Sequence, residues 1–181
     1  IASDNDQIDY VDVCSLYPWV NKYCIYPVGH PVIITENFKD ITEYEGIIKC
    51  EIDPPSDLYF PVLPCRIDGK LIFTLCLTCA KIKDHNYICD HKINERRLKG
   101  TWVSHEIKKA ISKGYKIHRI YEIWHFAKTA QFNIKTGEHG LFDEYIDSCI
   151  KEKIEASGYP KYVISDNDKD AYVKQYFEKE G

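Results

Sequence analysis

Residues 62–75, with the sequence VLPCRIDGKLIFTL, decide the fold class because they predict two strands joined by a tight turn. Short apolar runs flank Asp68-Gly69, and this dipeptide accepts the positive φ angles that a two-residue hairpin turn requires. The sequence IIKCEI at residues 47–52 predicts another strand, which is ended by the Pro-Pro pair that follows. These segments indicate an antiparallel sheet.

Helices are predicted from apolar residues at helical spacing, most clearly over residues 141–156, which a Gly-Tyr-Pro sequence follows. A shorter helix is predicted over residues 103–112, with Thr101 as its N-cap and Gly114 at its end. The other predicted elements are strands at residues 10–14 and 115–124 and helices that begin at Pro18 and near Ser165 or Asp166. Strands with helices covering one face indicate an α+β fold.

The composition is that of an ordinary globular chain. The 181 residues are 44% hydrophobic and 29% charged, which excludes a disordered, collagen-like or coiled-coil protein. No apolar stretch reaches the ~20 residues that a membrane-spanning helix needs, and the first ten residues lack the pattern of a secretory signal. Because the sequence contains no Met, we expect it to be a segment of a longer open reading frame.

The charge is unevenly distributed around a formal net value of −4. Residues 81–128 contain 12 Lys/Arg and 5 Asp/Glu, a net charge of +7, whereas the rest of the chain carries −11. A basic region between acidic ends favours a surface that meets polyanions. The alternative, left open by the sequence, is that these lysines only solvate amphipathic helices. The aromatic Trp124 in this region is expected in the core.

The eight cysteines are interpreted as free thiols, since a disulfide framework requires a secretory context that the sequence does not show. Free thiols are typical of a reducing intracellular compartment. The nucleus, the cytoplasm, a virion or an organelle would each satisfy this condition.

One group of cysteines has metal-ligand spacing. Cys76, Cys79, Cys89 and His91 form the pattern Cys-x2-Cys-x9-Cys-x-His, and three thiolates with one imidazole are a tetrahedral zinc set. Such a zinc site would be structural, because four protein ligands leave no open position for catalysis. The second pair is spaced more tightly than in common zinc modules, so the alternative is a loop with incidental Cys and His residues.

The residues that best suit a chemical role lie at positions 10–18, YVDVCSLYP. Asp12 is predicted at the end of a buried strand, where a carboxylate is costly unless it is paired or binds a metal. The following turn offers backbone amides, and Tyr17 offers a flat ring. A carboxylate for a hard cation, amides for phosphate oxygens and a ring beneath a sugar suit a magnesium-bound triphosphate. The alternative is that Asp12 and Ser15 only cap the next helix.

Residues 10–18 resemble the first catalytic motif of family B DNA polymerases, Asp-x-x-Ser-Leu-Tyr-Pro. Residues 19–31, WVNKYCIYPVGHP, are similar to the protein-primed branch of that family, which occurs in viruses, organellar plasmids and mobile elements such as the large Maverick-type DNA transposons. Residues 100–102 and 140–146 extend the similarity over nearly the whole chain. The resemblance implies a partial polymerase palm, built of antiparallel strands with covering helices, plus an inserted α+β lobe.

By this resemblance, Asp12 is one of two catalytic aspartates that hold two Mg²⁺ ions, and the Val13 carbonyl completes the coordination of one ion. The implied substrate-binding set is Val13, Ser15, Leu16 and Tyr17. The amides of Leu16 and Tyr17 would bind dNTP phosphates, and the Tyr17 ring would exclude a ribose 2′-hydroxyl. The implied reaction is DNA-directed transfer of a nucleotide to a primer 3′-hydroxyl. The implied partners are template and primer DNA, dNTP and a terminal priming protein, with no membrane partner.

The sequence lacks two parts of the family pattern, the lysine-bearing fingers helix and the Asp-Thr-Asp-like hairpin that supplies the second aspartate. We therefore expect the chain alone to be inactive. The expected domains are residues 1–46 as the first palm segment, 47–135 as a lobe resembling the terminal-protein region, and 136–181 as a helical return towards the fingers. The alternative function is a non-catalytic, zinc-stapled module that binds nucleic acid or protein.

Overall fold

The computed structural model describes residues 7, 9–13, 15–82 and 88–180, without the side chains of Phe177, Lys179 and Glu180. The chain forms two compact units. Unit 1 comprises Ile1–Tyr26 and Ala130–Gly181, and unit 2 comprises Pro27–Thr129. The chain therefore leaves unit 1, builds unit 2 from one continuous segment, and returns.

Helices and antiparallel strands together confirm the α+β class. The strands are β1 (Tyr26–Pro27), β2 (Val32–Ile34), β3 (Gly46–Asp53), β4 (Pro64–Ile67), β5 (Lys70–Phe73), β6 (Leu98–Val103), β7 (Lys116–His125) and β8 (Thr129–Ala130). The α-helices are α1 (Leu16–Tyr23), α2 (Leu77–Ile82), α3 (Ile93–Arg96), α4 (Ser104–Ser112), α5 (Asp143–Ser157) and α6 (Asp166–Glu180), and a 3-10 turn covers Ile41–Glu43. In the described ranges, no helix has the length and apolar character needed to cross a membrane.

Unit 2 is built on a four-stranded antiparallel sheet with the strand order β2-β7-β3-β6. The central strand β3 pairs with β6 without interruption from Ile47 to Ile52. Its pairing with β7 shifts register between Lys49 and Cys50 and again after Glu51, and such irregularities increase the local twist of a sheet. The strands predicted at residues 47–52 and 115–124 are thereby confirmed.

One face of this sheet forms the core of unit 2. Alternate residues of β3, namely Ile48, Cys50 and Ile52, are fully buried, as expected for a strand with one covered face. Ile107 and Ala110 of α4 belong to the same buried cluster. Burial raises the pKa of the Cys50 thiol to about 12, so this cysteine is a protonated core residue rather than a reactive thiol.

The hairpin predicted within residues 62–75 forms as β4 and β5, with Ile67 opposite Lys70. Asp68 and Gly69 have φ angles of 49° and 78°, the left-handed conformation that a two-residue turn requires. The hairpin is joined to the core because the buried Trp102 donates a hydrogen bond from Nε1 to the Pro64 carbonyl at 2.8 Å.

Unit 1 contains three of the predicted helices, α1, α5 and α6. Helix α1 begins at Leu16 and holds Pro18 in its first turn, where a missing amide costs no helical hydrogen bond. Helix α5 ends before Gly158, which has a φ of 79°. Helix α6 begins at Asp166, as predicted, and it is capped because the Ser165 hydroxyl accepts from the Asp168 amide and the Asp168 carboxylate accepts from the Ser165 amide, both at 3.1 Å.

Three predictions are wrong. No strand forms at residues 10–13, the described part of the strand predicted at 10–14, because no described strand lies beside this segment to complete a ladder. Thr101 is not the N-cap of α4, since β6 continues to Val103, which takes that position. Trp124 is 42% exposed rather than in the core, because it alternates with the buried Ile123 and faces the open side of the sheet.

Substitution of Gly46 by alanine is expected to destabilise unit 2 strongly. Gly46 has a φ of 139°, and an added Cβ would collide with the backbone carbonyl of Trp124. We expect a loss of about 3 kcal/mol or more in the free energy of unfolding, measured by urea denaturation. The matched control is Gly29→Ala, because Gly29 also has a positive φ, 82°, but open space around it; its expected loss is about 1 kcal/mol. Equal losses in the two variants would contradict the packing described here.

Candidate functional site

The segment before α1 is extended and exposed. Residues 9–13 have no regular secondary structure, and each of their side chains is exposed. Ser15 then takes a left-handed conformation, with φ 53° and ψ 32°, and its carbonyl accepts from the Trp19 amide at 2.9 Å. This single left-handed residue turns the chain from the Asp12 segment into the helix. Cys14, to which no role was assigned, lies outside the described residues.

The Asp12 carboxylate and the Tyr17 ring flank this turn. Asp12 is exposed, and within the described residues no hydrogen bond or ion pair engages its carboxylate. Tyr17 is 81% exposed, so its phenol is not a core residue. The Val13 carbonyl accepts from the Leu16 amide at 3.3 Å, a long hydrogen bond. Phosphate binding by the Leu16 amide would require this bond to open, whereas first-turn amides such as that of Tyr17 have no acceptor within the helix.

A buried lysine anchors α1 to α5. Lys22 is 5% exposed, and its Nζ lies 2.7 Å from Oδ1 of Asp147. The ammonium also lies 4.9 Å from the centre of the Phe132 ring and 5.4 Å from that of Tyr23, distances at which a cation is attracted to an aromatic face. Lys22 therefore fixes the helix that follows the Asp12 segment.

A groove of ≈ 370 Å³ lies beside the left-handed turn, within unit 1. Helix α1 contributes one side, and α5 and α6 contribute the others. Its lining is mainly apolar and aromatic and includes Trp19, Tyr23, Ile150, Ile154, Tyr172 and Tyr176. Ser15 and Lys22 also reach the groove, so the motif helix borders both solvent and an apolar recess.

An imidazole–carboxylate pair lies at the start of α5. His139 Nδ1 is 2.8 Å from Oδ2 of Asp143, whose side chain is buried. The hydrogen bond to Asp143 raises the pKa of His139. Desolvation acts to raise the pKa of Asp143, but the hydrogen bonds from His139 and from backbone amides outweigh it and lower that pKa. The pair therefore stabilises α5 most where His139 is protonated and Asp143 is ionised, between about pH 4 and 6.5.

The four predicted metal ligands of unit 2 are brought together. The Sγ atoms of Cys76, Cys79 and Cys89 lie 3.5, 3.3 and 3.7 Å from Nδ1 of His91. All four ligand atoms lie within 4.8 Å of one another. This cluster could hold a metal ion, and we refer to it as the Cys3His cluster.

Part of the positive charge of residues 81–128 is neutralised within unit 2. Three of these basic residues pair with carboxylates from outside the region, in the ion pairs Arg97–Asp53, Lys99–Glu51 and Lys108–Glu45. The Arg97 pair is largely buried and doubly hydrogen-bonded, at 2.6 and 3.2 Å. The surface of this region therefore carries less net positive charge than its sequence alone indicates.

The open face of the sheet carries an apolar row that crosses all four strands. Ile33 lies opposite Trp124, Trp124 opposite Ile47, and Ile47 opposite Val103. Each of these side chains is between 38% and 57% exposed. A contiguous exposed row of this kind is typical of an interaction surface.

The comparisons with known proteins identify the family. The family described as DNA polymerase type B, organellar and viral, matches residues 2–165. The chain belongs to this family. No curated protein and no solved structure matches it. The match covers both the Asp12 segment and the Cys3His cluster of this type B polymerase chain, and it confirms the resemblance drawn from residues 10–18.

The structure places the predicted site residues of this polymerase chain, Asp12, Val13, Ser15, Leu16 and Tyr17, along one exposed turn. Their roles in binding and catalysis stay predictions. The Lys22–Asp147 pair was missed, since its members are 125 residues apart in sequence. The one available signal was a lysine among the aromatic residues of a short helix, which alone does not indicate a partner.

Breaking the Lys22–Asp147 pair is expected to destabilise unit 1. Asp147→Ala removes the carboxylate from a buried ammonium, so we expect a loss of about 3 kcal/mol in the free energy of unfolding. Lys22→Met keeps the apolar stem and leaves only the partly exposed Asp147, so its loss should be smaller. The control is Lys151→Ala, an exposed residue of α5, with an expected change within about 0.5 kcal/mol. Urea denaturation gives these values, and an Asp147→Ala loss no larger than the control would contradict the anchoring role.

Proposed function

We propose that this chain is the segment of a type B DNA polymerase that supplies the first catalytic carboxylate and the nucleotide-binding turn. The reaction is transfer of a nucleotide from a dNTP to a primer 3′-hydroxyl, directed by a DNA template. The observation that carries the proposal is the family match over residues 2–165, which includes the exposed turn from Asp12 to Tyr17.

The residues of the turn fit a magnesium ion. A carboxylate oxygen from Asp12 and a backbone carbonyl oxygen from Val13 are the hard ligands that Mg²⁺ prefers. Both residues are exposed, so a metal-bound nucleotide has access to them. When bound, two Mg²⁺ ions would supply charge neutralisation at the phosphates and activation of the primer hydroxyl.

The remaining residues of the turn bind and orient the substrate. The first-turn amide of Tyr17 is oriented for hydrogen bonding outside the helix and donates to a phosphate oxygen. The Leu16 amide joins it once its long bond to the Val13 carbonyl opens. Ser15 supplies the left-handed bend between Asp12 and these amides. The exposed Tyr17 ring packs against the deoxyribose and excludes a 2′-hydroxyl.

One aspartate does not build a two-metal site. Because the sequence contains no Asp-Thr-Asp-like hairpin and no fingers motif, the chain alone binds nucleotide weakly and does not extend primers. Catalysis requires these parts from elsewhere in the polymerase.

Unit 2 contains most of the lobe, residues 47–135, that we assign to contact with the terminal protein. The apolar row Ile33, Trp124, Ile47 and Val103 is exposed, and Lys99, which lies on the same face of β6 as Val103, is paired with Glu51. An exposed apolar surface with neutralised charge suits a protein partner better than a phosphate backbone. The row therefore favours the terminal protein as the partner of the open sheet face.

The alternative is a non-catalytic, metal-stapled module that binds nucleic acid or protein. The two functions predict different effects of changes at Asp12. In a binding module without chemistry, the exposed Asp12 carboxylate has no ligand, and its replacement changes neither metal nor nucleotide affinity.

Magnesium-dependent binding of dATP should weaken about tenfold or more in Asp12→Asn, because the carboxylate that joins metal and nucleotide is lost. Chemical-shift titration of the chain with Mg²⁺ and dATP measures this change. The matched control is Asp9→Asn, an exposed carboxylate three residues earlier, whose affinity should stay within twofold of the unsubstituted chain. Equal affinities for Asp12→Asn and Asp9→Asn would contradict the proposal and favour the alternative module.

A further inference from the structure

We propose that Cys76, Cys79, Cys89 and His91 bind one structural Zn²⁺ ion that fixes α2 and α3 in unit 2. This inference stands apart from the polymerase function, because it rests on the geometry of the Cys3His cluster. In a tetrahedral zinc site, typical Zn–S and Zn–N bond lengths place sulfur and nitrogen ligands about 3.6 Å apart. The observed distances from the three Sγ atoms to His91 Nδ1 are 3.5, 3.3 and 3.7 Å.

Hydrogen bonding does not explain this arrangement. A neutral imidazole nitrogen offers one lone pair or one proton, so it can engage one thiol well but not three at once. All three cysteines approach the same atom, Nδ1 of His91. They are also free thiols rather than a disulfide. Four ligand atoms that converge on a common centre are the signature of a metal site.

The local backbone supports the first two ligands. The Cys79 amide lies 3.4 Å from the Cys76 Sγ, which stabilises a thiolate by an N–H donor. The Cys76 amide donates to the Thr74 hydroxyl at 3.1 Å, and that hydroxyl donates to the Cys76 carbonyl at 3.0 Å. The Cys76 carbonyl also accepts from the Ala80 amide at 3.1 Å, so Cys76 is held at the start of α2, and the residue is 4% exposed.

The helices on either side of the cluster need such a link. Helices α2 and α3 have six and four residues, and neither has a buried residue. Helices of this length are unstable without tertiary support. Leu77 of α2 packs against the core as a partly buried side chain, and further contacts are polar, such as the hydrogen bond from the Thr78 hydroxyl to the Glu95 carbonyl at 2.8 Å. A metal that joins Cys76 and Cys79 to Cys89 and His91 adds to this limited stabilisation.

The ligand set determines the metal and its role. Three thiolates and an imidazole are soft and borderline ligands that favour Zn²⁺ over Mg²⁺ or Ca²⁺. Four protein ligands complete a tetrahedron, so no position remains for water or substrate. The site is therefore structural, and the free energy of metal binding stabilises unit 2.

The test is the metal content of the chain, purified under reducing conditions without added metal. We expect about one zinc per chain, and cobalt(II) substitution should give the intense visible bands of a tetrahedral site together with thiolate charge-transfer bands. Cys89→Ser and His91→Ala should each reduce the zinc content at least fivefold. The control is Cys149→Ser, which removes an exposed cysteine outside the cluster and should leave the zinc content unchanged.

Removal of the metal gives a second readout that does not depend on the variants folding. A chelator should lower the Tm of the unsubstituted chain, and Zn²⁺ but not Mg²⁺ should restore it. Metal-free chain with an unchanged Tm would overturn the proposal. So would zinc that persists in both Cys89→Ser and His91→Ala, or cobalt spectra without thiolate bands, since either result indicates adventitious binding elsewhere.

Discussion

The burial of the Lys22 ammonium is the constraint on which unit 1 depends. A lysine that is 5% exposed must keep its charge compensated, because an unpaired ammonium in a poorly solvated site is costly. Asp147 and the rings of Phe132 and Tyr23 provide this compensation. Phe132 and Asp147 lie far from Lys22 in the sequence, whereas Tyr23 is the last residue of α1 itself. The turn from Asp12 to Tyr17 continues into the first turn of α1, so it is attached to a helix whose position is determined by a charge pair.

Different interactions stabilise the sheet of unit 2 and the segment from Cys76 to Arg96. Its sheet is held by β3, which pairs on both sides and buries Ile48, Cys50 and Ile52. The described part of the segment from Cys76 to Arg96 has weaker apolar support, since α2 and α3 contribute no fully buried residue and only Leu77 of α2 packs, partly buried, against the core. A polar, ligand-rich segment attached to a packed sheet is where a metal contributes most to stability. Arg97 and Lys99, which follow this segment, pair with Asp53 and Glu51.

Local patterns predicted the elements whose causes are local. The Asp68-Gly69 turn, the start of α6 near Ser165 and the periodicity of α5 each depend on residues close together in sequence, and each forms as predicted. The strand predicted at residues 10–14 does not form in its described part, because a strand depends on a neighbour that no local pattern supplies. Trp124 was misplaced for a similar reason, since its burial depends on what covers the sheet. The approach of Cys76, Cys79 and Cys89 to His91 was predicted from spacing alone, because metal ligands recur at short intervals.

In the proposed function, the turn from Asp12 to Tyr17 is the nucleotide site of this polymerase segment. The most direct measurement replaces Mg²⁺ with paramagnetic Mn²⁺ in the presence of dATP and maps which amide resonances broaden. We expect broadening centred on Val13, Ser15, Leu16 and Tyr17, lost in Asp12→Asn. Broadening centred instead on the acidic start of α6, around Asp166 and Asp168, and unchanged by Asp12→Asn would contradict it.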